Sequence, residues 1–252
     1  MRTFKHIVYG IFYLFIFAAI LYAAYLIWFR PAPSCFNGFK DTGEQGIDCG
    51  GICFRACAPS GLSAIEIAAE PKIFHPTASS ISVMAQIQNK NAAFAAQILP
   101  YKFGFYDAND NLLYETPSGE SFIYASEIKY VAEFNLQFAN ISKVAYAKIS
   151  IGEPNWVSGS LFGLPALNIQ SFNTSSSDAG VQVTGNLLNN GAISIPHVTV
   201  FAVFYSNVGQ PAGISKNEVD DVMPGERRPF LIFHPPLGNL NLSKTDIRLY
   251  GD

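Results

Sequence analysis

Residues 7–29 form an unbroken apolar run with no charge, no Asn, Gln or Pro, and a single Gly, Gly10. As a helix this run of about 23 residues is about 35 Å long, enough to cross a hydrocarbon layer about 30 Å thick with some tilt. A helix apolar on every side has no face for water, so it belongs in a bilayer or in the middle of a very large core. No other part of the chain offers such a core, which makes 7–29 a lipid-embedded anchor. Arg2 and Lys5 precede it without any acid, and after Arg30 there is no charge until Lys40. The excess of basic residues on the short flank places the N-terminus in the cytoplasm and everything beyond the helix outside. Tyr9, Tyr13, Tyr25 and Trp28 lie toward its ends, where amphipathic rings favour the headgroup layer. A cleaved signal peptide has a shorter apolar centre and a small-x-small exit, whereas this run ends in Leu26-Ile27-Trp28-Phe29. Lipidation at Cys35 is a poor match too, since Ala32-Pro33-Ser34 precedes it and Arg30 intervenes.

Three of the 16 basic residues lie in the first 30 positions, leaving 13 against 19 acidic ones beyond, a balance near −6. That argues against nucleic acid as a partner and against a polybasic hold on anionic lipid. Charged residues are only 14% of the chain and apolar ones 49%, the remainder being rich in Asn, Ser, Thr, Gly and Pro. This is the composition of turn-rich β domains that function outside the cell.

All four cysteines fall in one short stretch: Cys35, Cys49, Cys53 and Cys57. The stretch is too small and polar to bury a core, so a covalent or metal staple must order it. Outside a membrane an even cysteine count means two disulfides, and sequence leaves the three possible pairings open. Four thiolates on zinc is the alternative, but Cys-x3-Cys-x3-Cys lacks the paired-knuckle spacing. Asp41, Glu44 and Asp48, set among glycines, are candidate oxygen ligands for calcium alongside the disulfides. The pattern Cys-x-Asn-Gly-x-x-Asp-x-Gly-Glu-x-Gly-Ile-Asp-Cys-Gly-Gly-x-Cys resembles the short "DCGG" cysteine repeat of secreted and surface proteins. The resemblance implies an extracellular spacer and no chemistry. The usual form has Asp where Asn37 stands and a closer final cysteine pair.

Beyond residue 60 the chain reads as strands, and it reads twice. Ile81, Val83, Ala85 and Ile87 alternate with Ser82, Met84, Gln86 and Gln88; Val181, Val183, Gly185 and Leu187 alternate with Gln182, Thr184, Asn186 and Leu188. Each run ends in an Asn-rich turn, Asn89-Lys90-Asn91 and Asn189-Asn190-Gly191, and each is followed by a strand containing Phe-Tyr, at 105–106 and 204–205. Residues 130–136 parallel 228–233. Ile141-Ser142-Lys143 parallels Leu242-Ser243-Lys244 before a last strand. A period of about 100 residues is a duplicated domain. Short strands with turns every 8–12 residues predict two β-sandwiches. These units resemble FxLYD-type domains and the related late-embryogenesis-abundant water-stress domains, through Asn89 and Phe103-Gly104-Phe105-Tyr106-Asp107 in the first. In the second the resemblance rests on Gly185, Asn189, Phe204-Tyr205 and Pro224-Gly225-Glu226 before Phe230. The second unit has Ser206 where Asp is usual, and the first lacks the Pro-Gly-Glu turn. The resemblance implies a seven-stranded sandwich of immunoglobulin or fibronectin type III shape and no catalytic residues.

Motifs for chemistry are missing. His6, His75, His197 and His234 form no His-Glu-x-x-His, and there is no Gly-x-Ser-x-Gly, phosphate loop or Gly-x-Gly-x-x-Gly. Glu218, Asp220 and Asp221 read as a solvated acidic turn, and Tyr101, Phe103 and Phe105 as core. Phe134, Phe201 and Phe230 are expected to fill the cores as well. Asn140, Asn173 and Asn241 head glycosylation sequons. The expected organisation is mainly β: cytoplasmic tip and transmembrane helix at 1–30, Cys-rich stalk at 31–60, first sandwich at 61–153, linker at 154–164 and second sandwich at 165–252. Trp156, Leu161 and Phe162 in the linker predict sandwiches that pack with limited freedom. The function these features imply is a single-pass membrane protein with a non-catalytic structural or interaction role in the cell envelope. Its partners would be the bilayer, through 7–29, and a surface protein. A calcium-dependent stalk or sensor and an envelope enzyme are the alternatives.

Overall fold

Helix α1 spans Arg2–Trp28, and every large apolar side chain described along it, from Tyr9 to Tyr22 and at Tyr25, is exposed. The computed structural model describes residues 2–28, 34–53, 57 and 60–251, with side chains in α1 at positions 6, 9–22 and 25. Among the described residues no helix is long and apolar enough to cross a membrane. The sequence run 7–29 extends past the stretch whose side chains are described, and its end at Phe29 with the flanking Arg30 lies outside the described residues. The chain divides into two compact units, Met1–Pro59 and Ser60–Asp252.

The second unit is all β and built twice. Its first module runs through β1 (Glu66–Thr77), β2 (Ser80–Gln88), β3 (Phe94–Tyr106), β4 (Leu112–Glu115), β5 (Gly119–Ile123), β6 (Ile128–Leu136), β7 (Tyr146–Ile151) and β8 (Asn155–Ser158). One antiparallel sheet has the order β1-β2-β6. In the other the long β3 is central, with β4 and β5 along one edge and β7 and β8 along the opposite one. The second module runs through β9 (Leu167–Ser177), β10 (Gly180–Asn189), β11 (Ile195–Tyr205), β12 (Pro211–Val222), β13 (Arg227–His234) and β14 (Asp246–Gly251). Its sheets are β9-β10-β13 and β12-β11-β14. The strand order of β1–β7 repeats in β9–β14, with β12 standing for β4 and β5 and with β8 having no counterpart, and a 3₁₀ turn precedes β7 and β14 alike, at Ile141–Lys143 and Leu242–Lys244. The segment expected as a linker begins with β8, which pairs with β3, so the first module extends past residue 153.

Alternation builds each core. Ile81, Val83, Ala85 and Ile87 of β2 meet Leu99, Phe103 and Phe105 of β3, all at most 1% exposed. Val181, Val183 and Leu187 of β10 meet Val198, Val200, Ala202 and Phe204 of β11 and Phe230 and Ile232 of β13. Burying side chains of this size contributes about 1.5–3 kcal/mol each.

Period two does not account for the other face of β2. Ser82 and Met84, which alternation directs away from the core, are 1% and 6% exposed. Met84 is covered by the other module, whereas Ser82 Oγ accepts the Asn135 N–H (3.1 Å) of its own module. A third apolar cluster joins Phe74, Met84, Phe122, Tyr130 and Phe134 of the first module to Phe201, Val203, Tyr205, Ile214 and Tyr250 of the second. The outer face of β1-β2-β6 thus packs on the outer face of β12-β11-β14, and β2 and β11 are buried on both sides. Phe134 and Phe201, expected in the module cores, lie on this seam, where their rings meet at 5.8 Å. The expectation of limited freedom rested on the connecting segment. There Phe162 stacks on Tyr124 at 4.9 Å and meets Phe122 edge-on at 5.6 Å.

A buried asparagine closes each module. Asn89 and Asn189 are both fully buried. Asn89 Nδ2 donates to the carbonyls of Phe94 (2.8 Å) and Tyr124 (2.9 Å), and its Oδ1 accepts from the Asn91 N–H (2.9 Å). Asn189 repeats the arrangement with Ile193 O (2.8 Å), Val222 O (3.0 Å) and the Gly191 N–H (2.8 Å). Each asparagine's own N–H donates to a glutamate carbonyl, Glu127 or Glu226, whose carboxylate folds back onto the N–H of Tyr124 or Met223. The first module therefore does have the turn read as missing: Tyr124-Ala125-Ser126-Glu127 does the work of Met223-Pro224-Gly225-Glu226. Ser126 takes φ 58° where Gly225 takes φ 72°.

Candidate functional site

The cysteine segment is ordered by two disulfides, Cys35–Cys53 and Cys49–Cys57, which close intervals of 18 and 8 residues. Its glycines are dictated by space: a Cβ at Gly46 would lie 2.7 and 2.8 Å from the sulfurs of Cys49 and Cys57. One at Gly51 (φ 62°) would lie 1.8 Å from the Gly43 carbonyl oxygen.

The three acids proposed as calcium ligands are used locally. Asp41 Oδ2 accepts from the Ser34 N–H (2.9 Å) and Asn37 Nδ2 (2.8 Å). Asp48 clasps the opposite turn, Oδ1 taking the Asn37 N–H (2.9 Å) and Oδ2 the Gly38 N–H (2.8 Å). Glu44, buried, holds the N–H groups of Asp41 (2.9 Å) and Asp48 (3.3 Å) on Oε2. A cation at these carboxylates would share oxygens that already accept protons from the backbone N–H groups of Ser34, Asn37, Gly38, Asp41 and Asp48. Cys35, Glu44 and Cys53 also cluster with ligand-type atoms within 4.8 Å. With the two sulfurs bonded to each other, neither is the thiolate a metal needs.

Loop closure over these intervals contributes about 3 kcal/mol per disulfide, and every cysteine precedes residue 58. Reductant is therefore expected to unfold the cysteine segment and leave the melting of the β unit unchanged. Chelator alone is expected to do neither. Hydrogen exchange on segments 34–53 and 80–88 of the intact protein reads both outcomes.

The seam between the modules opens into a cleft of about 330 Å³. Its floor is aromatic, with Tyr101, Phe122, Tyr130, Phe134, Phe201 and Tyr250. Its rim carries an exposed ion pair, Lys216 Nζ–Glu218 Oε1 (2.6 Å), and an exposed hydrogen bond between His197 Nδ1 and Asp220 Oδ1 (2.9 Å), which is an ion pair only when the imidazole is protonated. Glu218 and Asp220, read as a solvated acidic turn, lie instead on β12, opposite Lys216 and His197. Exposed pairs of this kind contribute little to stability; here they set the charge pattern of an open groove.

Below the rim is a residue that the sequence did not single out. Lys129 is 4% exposed, its ammonium 3.1 Å from the Phe122 ring centre and 4.7 Å from that of Tyr250. Burial raises the pKa of Glu127, and the Tyr124 N–H and the Lys129 charge partly offset that rise. Tyr130 N–H donates to Tyr250 Oη (3.1 Å), and Tyr124 Oη donates to the Gly251 carbonyl. Burial, with help from Tyr205, pushes the Tyr130 hydroxyl up to about 12, so it stays a neutral donor. Lys129 is preceded and followed by ordinary strand residues, so only the cross-seam rings reveal its role. In this groove the Lys216 ammonium faces Glu218, and the Lys129 ammonium faces the rings of Phe122 and Tyr250.

The other predicted positions are dispersed. Tyr101, Phe103 and Phe105 are buried as expected, with Tyr101 Oη donating to Glu133 Oε1 (2.8 Å). His6 and His75 are exposed, on α1 and β1. His234 ends β13 and is 2% exposed. Its Nδ1–H donates to the Pro235 carbonyl (2.7 Å), and its Nε2 is buried without a partner.

Burial lowers the His234 pKa, with the Pro235 hydrogen bond working the other way. Above pH 6.5 the ring is neutral whether folded or unfolded. As pH falls below 6.5 the unfolded chain takes a proton that the folded module refuses, so stability falls until the depressed folded pKa is reached. Melting temperatures at pH 7.5 and 5.5 are expected to differ more for the natural protein than for His234→Phe. Equal differences would show that the buried ring is not the source.

No protein-family model matches the chain, and no curated protein matches it at a significant level.

Proposed function

We propose that this chain is a membrane-anchored, extracytoplasmic protein with a non-catalytic structural or binding role in the cell envelope. α1 is the anchor, the disulfide segment is the spacer, and two immunoglobulin- or fibronectin type III-like sandwiches of the FxLYD and water-stress type form one projecting block. The observation that carries the reading is the succession of an all-round apolar helix and, within a few residues, two disulfides. The helix has no polar face to offer a soluble core, and disulfides persist on the oxidising side of a membrane. The seam supports a bracing role, because two modules locked face to face transmit load as one body.

The test is topology. Protease added to right-side-out vesicles should remove residues 60–252 and spare the N-terminal tip. Protection of the β unit, or release of the intact protein by carbonate wash, would overturn the anchor and its orientation.

A further inference from the structure

The two modules treat their first strands in opposite ways. β1 and β9 are counterparts: each lies at the free edge of its sheet and pairs only with the next strand, β2 or β10. A free edge exposes a row of N–H and C=O groups that will pair with any extended chain, and natural proteins block such edges with charge, proline and bulges. β1 is blocked in all three ways. It carries Glu66, Glu70, Lys72, Pro71 and Pro76, and its register with β2 is broken at three places.

β9 is blocked in none of these ways except for one irregularity. Its 11 residues, Leu167–Ser177, include no charge and no proline, and its register with β10 shifts once. Among the described residues, every other edge strand longer than four residues bears at least one charge. No described backbone hydrogen bond runs from Asn168–Ser177 to any strand but β10. In an antiparallel pair every second residue turns its N–H and C=O away from the partner, so β9 holds a ladder's worth of unpaired groups along its outer edge.

We infer that β9 is a pairing edge and that its occupant is β9 of a second copy of this chain. β9 brings no charge of its own to select a foreign sequence, and the cleft beside it touches only its first residues, Leu167, Asn168 and Ile169, so recognition along the rest of the edge rests on the backbone. The partner it suits is an extended, uncharged, proline-free strand of matching length, which is what β9 itself is. Two copies related by a two-fold axis near Asn173 run antiparallel, with Ser171 opposite Ser175 of the second copy and no like charges in register. The sheet continues as β13-β10-β9 into its own mirror order. Phe172 of β9, 44% exposed, gains cover from its neighbours across the joint. The contact is isologous and closes at two copies, so it does not propagate into a fibre.

The experiment uses the full chain, made in a host that does not glycosylate Asn173, in non-ionic detergent. Sedimentation equilibrium is measured for the natural protein and for the double variant Ser171→Lys with Ser175→Lys, which gives β9 the charges its counterpart has. The natural protein is expected to dimerise reversibly, and the variant to have its dissociation constant raised at least tenfold. Hydrogen exchange is followed in parallel: alternate amides of 168–177 should slow as concentration rises in the natural protein. This arm decides alone if the variant fails to fold. A natural protein that stays monomeric with fast β9 exchange overturns the inference. So does a dimer that survives the double substitution, since it would be held by α1 or another face. Slowing of β9 only after another protein is added would mean a foreign strand is the occupant, and also overturns it.

Discussion

Replacing Asn89 or Asn189 by alanine is expected to cost about 3–5 kcal/mol of unfolding free energy, a large share of the 5–15 kcal/mol typical of a domain. Each side chain is fully buried and satisfies three backbone groups at once. Alanine leaves two carbonyls and one N–H in the interior with no partner, and each orphan costs about 1–3 kcal/mol. Aspartate is no remedy: it keeps the acceptor, removes both donors and adds a charge in a site that excludes water. Urea titration of the alanine and aspartate variants measures the effect. A loss below about 1 kcal/mol at both positions would mean that water replaces the amide and that the closure is not structural.

That pair also shows what was legible in the sequence. Asn89 and Asn189 stood out because the chain repeats itself, and the strand order repeats with it, β8 aside. The equivalence of Ala125-Ser126-Glu127 with Pro224-Gly225-Glu226 was hidden because only the glutamate is shared. Turn geometry asks for a positive φ at the third position, and Ser126 adopts it without being the residue that advertises it. The strands were legible because period two is a local signal. The seam was not: Met84 looks like part of a solvent face until another module covers it, and burial by a distant surface leaves no period. Lys129 was illegible for the same reason, since a lysine in a strand reads as solvated until two rings from opposite modules enclose it. In the cysteine segment the residue types were readable, but the pairing Cys35–Cys53 and Cys49–Cys57 was not, because spacing does not choose among connectivities. The carboxylates there looked like ligands because Asp and Glu among glycines serve backbone turns and cations equally well.

Phe201→Asp is expected to break the β unit into two independently melting modules. Phe201 is 3% exposed and central to the seam, 5.7 Å from Tyr130, 5.8 Å from Phe134 and 6.3 Å from Tyr250, ring centre to ring centre. Truncation of a buried phenylalanine alone costs about 3–5 kcal/mol, and an unpaired carboxylate among those rings adds a desolvation cost that opening the seam relieves. The second module's own core lies on the opposite face of β11, through Val200, Ala202 and Phe204, so it survives the opening. The consequence differs from that of a core change such as Phe103→Ala, which weakens the first module from inside and keeps one cooperative transition. Calorimetry of the natural protein should give one transition for the β unit, and Phe201→Asp two at lower temperatures. Amides of 80–88 should then exchange faster, since β2 loses cover on one face. Lys129 belongs to the same test. Opening the seam exposes its ammonium and frees Glu127 to relax toward an ordinary carboxylate, so the first module's transition should shift less with pH than the single transition of the natural protein. A single transition at an unchanged midpoint in Phe201→Asp would show that the modules do not stabilise each other, and the bracing role argued from the seam would fall with it.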